Sequence, residues 1–358
     1  MSRMHFSWLL LATFLVGAVV LILPQQTAKD IAPESGRFIP GLEDQVNEIS
    51  WLQLTAAGGR TVATLERKGD LWQVNEASGY RADWDKVREL LSGLAQAVLV
   101  EPKTANPEYY DRLGVEDVSL ESAGGTMVSF APETGLSPVI VGNNARGRTG
   151  QYVRLADSES SALIDTVMNV PVERSAWLET SIVDISDAEV VEVELTHPDG
   201  EVVKIIKASA DDENFQLQNI PEGREAKSDW SVNALGNVLA GLELDEVAAR
   251  EELDWDGAGR LYLLTADGLV IEAAMLERAG PEEGGESEFW IHLEAQLYTT
   301  GVGAGTEGDT TEADTRDRAD AINDRVRGWA YRIPQFKYNA MNRRMEDLLK
   351  AEDEPSSL

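Results

Sequence analysis

A pattern of short strands followed by one amphipathic helix occurs twice in this chain, about 140 residues apart. The first copy, "WLQLTAAGGRTVATLERKGDLWQV", begins at Trp51, and the second, "VEVELTHPDGEVVKIIKASADDENFQL", begins at Val191. Glycine and aspartate residues, with Pro198 in the second copy, break each copy into short runs of alternating polar and apolar residues, as is typical of antiparallel strands joined by tight turns. The repetition predicts a duplicated unit.

A helix is predicted after each group of strands, beginning at Asp83 in the first copy and at Asp229 in the second. Its apolar residues recur at i, i+3, i+6, i+7 and i+10, which places them on one helical face. These positions are Trp84, Val87, Leu90, Leu91 and Leu94 in the first copy and Val232, Leu235, Val238, Leu239 and Leu242 in the second.

Further strands are predicted after each helix. They are 118–120, 127–130, 139–141 and 152–155 in the first copy, and 260–264, 270–276 and 288–297 in the second. The predicted fold class is α+β: a single N-terminal transmembrane helix followed by two related units, each a mainly antiparallel sheet with one principal packed helix.

The N-terminal segment "FSWLLLATFLVGAVVLIL", residues 6–23, contains no charged residue. As a helix it would reach roughly 27 Å, close to the ~30 Å thickness of the hydrocarbon core. An uncleaved anchor is favoured over a cleaved signal peptide, since "QTA" at 26–28 is a poor match to a cleavage site. Arg3 precedes the span and Asp30 follows it, which predicts a cytoplasmic N-terminus, an inner-membrane location and an extracytoplasmic bulk.

The chain is accordingly divided into eight segments. They are a cytoplasmic N-terminus (1–5), the transmembrane anchor (6–24), a tether (25–47), the first α+β unit (48–180), the second α+β unit (181–300), an acidic linker (301–320), a C-terminal basic aromatic segment with a helix from about 339 to 350 (321–350), and a disordered tail (351–358).

Charge and composition exclude several classes of partner and chemistry. The chain has 63 acidic and 31 basic residues, a net charge of −32, and no cysteine. Such a negative field repels nucleic acid, so no nucleic-acid partner is expected. Without cysteine there are no disulfides, thiol nucleophiles or zinc-thiolate sites.

No motif in the sequence predicts a catalytic, cofactor-binding or metal-binding residue. His197 lies in the turn "THPDGE", and His292 alternates with Trp290 along a strand. The glycines at 303–308 precede acids that would repel a pyrophosphate. The loop "GNNARGRTG" at 142–150 is interpreted as a hairpin, with an anion nest as the alternative. The acidic runs at 280–288 and 309–320 are interpreted as solvated loops, with weak cation binding as the alternative.

One segment differs in charge from the rest of the chain. Residues 325–344 contain six Arg or Lys residues, four aromatic residues and no acid. This segment is expected to form a strand-like piece that closes the second sheet, with its aromatic residues buried and its arginines paired with acids of the chain. Partner docking and contact with lipid headgroups are the alternatives. The candidate docking residues are Arg325, Arg327, Trp329, Tyr331, Arg332 and Phe336.

Several motifs resemble the domain-of-unknown-function 4340 family of bacterial envelope proteins. They are "GRFIPGLEDQVNEI" at 36–49, "YRADWDKVRELLSGLA" at 80–95, "YDRLGV" at 110–115, "WLETSIVDI" at 177–185 and "GWAYRIPQFKYNAM" at 328–341. The resemblance implies one N-terminal anchor and, for some members, association with ABC transport systems of the gliding-motility type. It implies no catalytic residue.

The sequence therefore predicts a non-catalytic, membrane-anchored envelope protein without a cofactor. Its expected role is that of an accessory or scaffold subunit of an ABC-type transport complex, anchored in the inner membrane through residues 6–24. The alternative is an envelope enzyme or ligand-binding protein with a carboxylate-lined groove between the two units. A flat apolar patch would favour the first function, and clustered carboxylates beside an apolar pocket would favour the second.

Overall fold

Two mainly antiparallel sheets, of nine and eight strands, form most of the protein. The computed structural model describes residues 36–280, 285–298 and 312–351. The predicted anchor at 6–24 and the first part of the tether therefore lie outside the described residues, as do residues 301–311 of the linker and all but the first residue of the tail. Within the described ranges, no helix is long and apolar enough to span a membrane.

The strands and helices follow one another along the chain with short connections. The strands of the first sheet are β1 (Trp51–Ala56), β2 (Arg60–Lys68), β3 (Leu71–Val74), β4 (Tyr80–Arg81), β5 (Leu99–Pro102), β6 (Thr126–Phe130), β7 (Val139–Asn144), β8 (Gln151–Leu155) and β9 (Ser161–Ile164).

The later strands are β10 (Ser181–Val183), β11 (Val190–Thr196), β12 (Val202–Ile206), β13 (Gln216–Leu217), β14 (Leu242–Glu243), β15 (Glu246–Ala249), β16 (Gly259–Thr265), β17 (Leu269–Arg278), β18 (Glu288–Leu297) and β19 (Trp329–Arg332). β10 and β14 pair with each other, and the remaining eight form the second sheet.

The helices are α1 (Leu42–Gln45), α2 (Trp84–Gln96), α3 (Tyr110–Leu113), α4 (Asp229–Gly236), α5 (Glu312–Val326), α6 (Gln335–Met341) and α7 (Met345–Leu348). The protein is thus α+β, with mostly antiparallel sheets and few helices, as the sequence predicts at this coarse level.

The two sheets have matching strand orders. The first runs β4-β3-β2-β1-β6-β7-β8-β9-β5, and the second runs β13-β12-β11-β16-β17-β18-β19-β15. When β4 is set aside, each strand of one sheet has a counterpart at the same place in the other. β19 occupies the place of β9, and β15 occupies the place of β5.

The first helix follows the predicted pattern except at its first residue. The Asp83 side chain caps α2 by accepting a hydrogen bond from the Lys86 N–H at 3.1 Å. Val87, Leu90, Leu91 and Leu94 are buried, whereas Trp84 is 51% exposed. The prediction that Trp84 lies on the buried face is therefore wrong, because at the first helical position its side chain lies beyond the face that packs on the sheet.

The second helix is shorter than its apolar pattern predicts. It begins at Asp229 as predicted, with Ser228 as its N-cap, but it ends at Gly236, so Val238, Leu239 and Leu242 are buried outside the helix. The Phe215 ring packs so closely that a Cβ on Gly236 would lie 2.4 Å from it. The apolar spacing here reflects burial and not a continuous helix. A turn at 237–241 follows the helix, and Leu242 after it is buried in the core.

Residues 118–120 do not form the predicted strand. The carbonyl oxygens of Val118 and Leu120 accept hydrogen bonds from the N–H groups of Gly59 and Gly58, at 2.8 and 3.0 Å. This segment covers the β1–β2 turn instead of joining a sheet. The predicted strands at 127–130, 139–141 and 152–155 are confirmed as β6, β7 and β8, and the "GNNARGRTG" loop joins β7 to β8 in a hairpin.

The second sheet extends beyond the predicted boundary at residue 300, because it contains β19. Part of the predicted acidic linker is also regular structure: α5 begins at Glu312 and buries Thr315, Ala319, Ile322, Asn323 and Val326 on one face. The Asn323 side chain accepts from the Ala295 N–H at 2.9 Å and donates to the Ala295 carbonyl at 2.7 Å. Asn323 therefore supplies hydrogen-bond partners for the main chain of β18 at Ala295, whereas β19 pairs with β18 only at Trp290 and Ile291.

The C-terminal region forms two short helices, α6 and α7, rather than one helix from 339 to 350. The residues between them are held in a non-helical conformation by the β11–β12 turn. The Arg343 carbonyl lies 3.1 Å from His197 Nε2, and Arg344 forms ion pairs with Asp199 and Glu201. Tertiary contacts outweigh local helix propensity here.

Candidate functional site

An aromatic cluster joins the two sheets. Tyr80, in the edge strand β4, makes edge-to-face contacts with Trp329 and Tyr331 of β19, at centroid distances of 5.1 and 6.0 Å. Tyr331 is fully buried, and burial raises the pKa of its phenol far above the ordinary value. Burial likewise raises the pKa of Tyr80 to about 12. Nearby, the Arg81 side chain donates to the Asp324 carbonyl at 2.9 Å, so β4 contacts both β19 and the end of α5.

Two of the three arginines among the candidate docking residues form ion pairs within the described part of the chain. Arg332 lies 3.0 Å from Glu246 and 3.7 Å from Glu288. Arg327 is exposed and lies 4.0 Å from Glu294. The Arg325 carbonyl accepts a hydrogen bond from the Tyr331 hydroxyl at 3.3 Å. The expected closing strand is therefore present, with Tyr331 buried and Trp329 partly buried in it.

Phe336 does not share this environment, although it was expected to be buried with Trp329 and Tyr331. It is 68% exposed and lies beside Trp230, which is 78% exposed. Together with Ala234 and Val238 on one side and Lys337 and Ala340 on the other, they line a shallow depression of about 360 Å³. We call this surface, centred on Trp230 and Phe336, the aromatic patch.

Helix α6, which carries Phe336, is held in place by contacts on its inner side. Tyr338 of α6 is buried, with its ring 4.6 Å from that of Phe289, so Phe336 two residues earlier is directed away from the core. Lys337 Nζ donates to the Ala240 carbonyl at 2.6 Å. Burial lowers the pKa of Lys337 despite the nearby carboxylates of Asp184 and Glu243. Phe336 and Trp230 are therefore exposed on helices whose other faces are buried in the core.

Trp230 was not selected by sequence reasoning. A signal was nevertheless present, because Trp230 is two residues before Val232 and therefore off the helical face that Val232 and Leu235 define. A tryptophan on the polar side of an amphipathic helix is an exposed aromatic residue.

A groove of about 610 Å³ lies between the two sheets, alongside β15. Six carboxylates line it: Glu76, Glu173, Asp245, Glu246, Glu252 and Glu288. Three arginines, Arg174, Arg278 and Arg332, also line it. Six acids and three bases give the lining a net charge of −3. We call this feature the inter-sheet groove.

Two of the groove carboxylates are held in their ionised form. Burial opposes the ionisation of Glu288, but hydrogen bonds from Trp290 and Arg278 outweigh it and lower the pKa. Burial also opposes the ionisation of Glu76, and hydrogen bonds from the Thr64 hydroxyl and N–H lower its pKa. Carboxylates with lowered pKa values suit the binding of cationic groups and do not suit proton donation at neutral pH.

The two histidines of the described residues serve as packing groups. His197 is 4% exposed in its turn, as predicted, and its ring contacts the Arg343 carbonyl. The His292 ring lies edge-to-face on Trp255 at 4.4 Å, and burial, reinforced by Arg250, lowers its pKa to about 4. No three Asp, Glu or His side chains within the described ranges are arranged to hold a metal ion.

The sequence profile of one family, the domain of unknown function DUF4340, matches residues 72–257, which is more than half of the chain. The chain belongs to the DUF4340 family. No curated protein and no solved structure matches it.

The DUF4340 match runs from β3 to the loop before β16. It includes Trp230, the three resembling motifs between 80 and 185, and five of the six groove carboxylates, all but Glu288. Phe336 and the β19 strand lie outside the match. The two candidate surfaces therefore combine residues of the DUF4340 region with residues that follow it.

Proposed function

We propose that this DUF4340 protein is a non-catalytic accessory or scaffold subunit of an ABC-type transport complex in the inner membrane. Residues 6–24 would anchor it, with the N-terminus in the cytoplasm and both sheets outside. We further propose that the two sheets are related units, which is supported by their matching strand orders.

The observation that carries the proposal is the aromatic patch. Trp230 and Phe336 are the two most exposed large apolar side chains among the described residues. Exposed aromatic residues on a charged, soluble surface are typical of protein–protein contacts, where tryptophan supplies a large share of the binding energy. The patch is also shallow, which suits a protein surface better than a small molecule.

The anchor adds a second argument. A protein held at the membrane meets other membrane proteins at a high effective concentration, so a small apolar patch suffices for a stable contact. The strongly acidic remainder of the chain disfavours anionic lipid as the occupant of the patch. The apolar surface of a membrane-embedded transport subunit is therefore the proposed partner.

The test is purification of the tagged full-length protein from its native membrane in a mild detergent, followed by mass spectrometry of the proteins that accompany it. Deleting residues 321–358 would remove β19 from the second sheet, so surface substitutions are the sharper tool. The variant is Trp230→Ser with Phe336→Ser, and the matched control is Trp84→Ser with Tyr109→Ser, two exposed aromatic residues of the first sheet's region.

Recovery of transporter membrane and ATPase subunits with the wild type and the control, but not with the patch variant, is the expected result. A wild-type protein that purifies without companions would contradict the accessory function. Equal loss of companions with both variants would contradict the assignment of the patch as the contact surface.

A second candidate function rests on the inter-sheet groove. Its carboxylates support binding of a cationic ligand more directly than they support catalysis, since two of them, Glu76 and Glu288, have lowered pKa values and are poor proton donors.

A further inference from the structure

The unpaired edge of β15 faces the inter-sheet groove. β15 is the last strand in the order of the second sheet, and it pairs only with β19 among the described strands. Asp245, Glu246, Val247 and Ala248 all line the groove, so one wall of the groove is the outer edge of a strand. On the opposite wall, Ala77 and Ser78 belong to the first sheet's region.

The register shows which main-chain groups point outward. Ala248 pairs with Ala330, and the Arg250 N–H donates to the Gly328 carbonyl at 2.9 Å. In an antiparallel pair the hydrogen-bonding groups of successive residues alternate between the two sides of the strand. The N–H and carbonyl groups of Glu246 and Ala248 therefore point towards β19. Those of Val247 and Ala249 point away from it, to the open side of the strand.

The charge around this edge favours a cationic occupant. Glu173, Asp245 and Glu252 are exposed and form no ion pair within the described ranges, whereas Arg332 is already paired with Glu246 and Glu288. Arg278 is also paired with Glu288, at 2.8 Å. Carboxylates are therefore the groups of the groove that remain available to a partner, together with Arg174.

The chain's own undescribed segments do not fit this requirement. Beyond the predicted anchor, the segments 25–35, 281–284, 299–311 and 352–358 each carry a negative net charge, with Lys29 their only basic residue, and a second copy of the chain carries a net charge of −32. Complementary charge must therefore come from a different polypeptide.

We propose that the inter-sheet groove binds an extended, basic segment of a partner protein, which adds as a strand to the free edge of β15. Main-chain hydrogen bonds to Val247 and Ala249 supply affinity that does not depend on side chains. Lys or Arg residues at alternate positions of the segment face Glu173, Asp245 and Glu252, and these contacts select basic sequences.

The probe is a fluorescein-labelled, end-blocked peptide of about six residues that alternates Lys and Thr, long enough to span β15 at ~3.3 Å per residue. Its affinity for the full-length protein in detergent is measured by fluorescence anisotropy. A peptide with Glu in place of Lys tests the charge requirement. Two further peptides carry N-methyl groups on the amides of either the Lys or the Thr residues, and they test the main-chain requirement.

The protein variant is Glu173→Gln, Asp245→Asn and Glu252→Gln in one chain. The control is Asp70→Asn, Glu133→Gln and Glu222→Gln, three exposed acids outside the groove that change the net charge equally. A melting curve for each variant verifies that the fold is retained.

The expected result is binding of the Lys peptide, no binding of the Glu peptide, and a loss of about tenfold or more in affinity for the groove variant alone. Only one of the two N-methylated peptides should bind, because an edge strand pairs with alternate residues of its neighbour. Equal weakening by the control variant would show general electrostatic attraction and overturn the site. Equal binding of both N-methylated peptides would overturn strand addition.

Discussion

β9 and β19, the strands of each sheet that come last along the chain, occupy the same place in the two strand orders but differ in sequence and connection. β9, "SALI", has four buried residues and follows β8 after a short turn, so the first sheet closes with its own neighbouring chain. β19, "WAYR", follows β18 only after more than thirty residues that include α5, and its aromatic rings reach Tyr80 of the first sheet. In the first sheet, β9 pairs only within its own sheet. At the corresponding place in the second sheet, β19 also contacts the first sheet through its aromatic rings.

The largest expected effect comes from a matched pair of truncations, Tyr331→Ala and Leu163→Ala. Both residues are fully buried at corresponding places in β19 and β9. We expect Tyr331→Ala to lower the free energy of unfolding by about 3–5 kcal/mol and Leu163→Ala by about 2–5 kcal/mol, as measured by urea denaturation.

The location of the damage should separate the two variants. Amide hydrogen exchange should increase in both sheets for Tyr331→Ala, including at 76–82, and in the first sheet alone for Leu163→Ala. Unchanged exchange at 76–82 in Tyr331→Ala would refute the connecting function of β19.

Asn323→Ala tests the helix that only the second sheet has. It would leave the buried N–H and carbonyl of Ala295 without their hydrogen-bond partners, so we expect a loss of about 2–3 kcal/mol in the free energy of unfolding. Asp320→Ala, an exposed site on the same helix, should change it by less than about 0.5 kcal/mol. Equal effects of the two substitutions would show that a change in helix propensity explains the loss, and not the missing hydrogen bonds to the Ala295 main chain.

His292 should make the second sheet more sensitive to mild acid than the first, because residues 48–180 contain no histidine. Burial lowers its pKa to about 4, so the unfolded chain binds a proton more readily than the folded chain. Stability should therefore decrease as the pH falls from about 6.5 towards 4. His292→Gln should remove that part of the pH dependence of the urea midpoint, and a slope that persists in the variant would exclude His292 as its source.

The smallest effect is expected at the turns that begin the two sheets. The β1–β2 turn is covered by neutral main-chain hydrogen bonds from Gly58 and Gly59, whereas the β11–β12 turn is held to the C-terminal region by Glu201, which accepts from Arg344 and from the Met345 N–H at 2.8 Å. Burial opposes the ionisation of Glu201, and these hydrogen bonds lower its pKa.

Stability from Glu201 is therefore present above its ordinary pKa of about 4.3 and is lost as the pH falls through the lower pKa of the folded state. Exchange of the Met345 amide should accelerate over that range, while exchange at Gly58 should not. Glu201→Gln should make the Met345 amide exchange fast at neutral pH as well. A Met345 amide that stays protected at low pH would contradict this assignment.

The long alternating strands could be predicted from sequence because their evidence is local. β6, β8, β16, β17 and β18 lie within one or two residues of the predicted ranges, since each has several alternating apolar residues bounded by turn residues. β5 and β15 are four residues long and pair only with strands distant in the chain, so their formation depends on the assembled sheet.

The acidic composition of residues 309–320 concealed α5. Its buried face uses Thr315, Ala319 and Asn323, which carry little hydrophobic signal. The C-terminal segment was predicted in part: β19 was expected as a strand, and Arg327, Arg332 and Arg344 pair with acids as expected. The exposure of Phe336 depends on the packing of α6 against α4 and on the burial of Tyr338. The inter-sheet groove was anticipated only as a possibility, since its walls come from residues 76–332 and no local pattern joins them.

The position of β19 also determines when this protein is able to finish folding. The first sheet is complete once residue 164 has been synthesised, and its strands then contact only each other. In the second sheet, β15 and β18 cannot pair with β19 until it has been synthesised, since β19 follows every other described strand in the chain, and until then both have unpaired edges. A nascent chain that has not yet reached residue 332 therefore carries a complete first sheet and a second sheet with edges open to mispairing. The synthesis of β19 both completes the second sheet and connects it to the first.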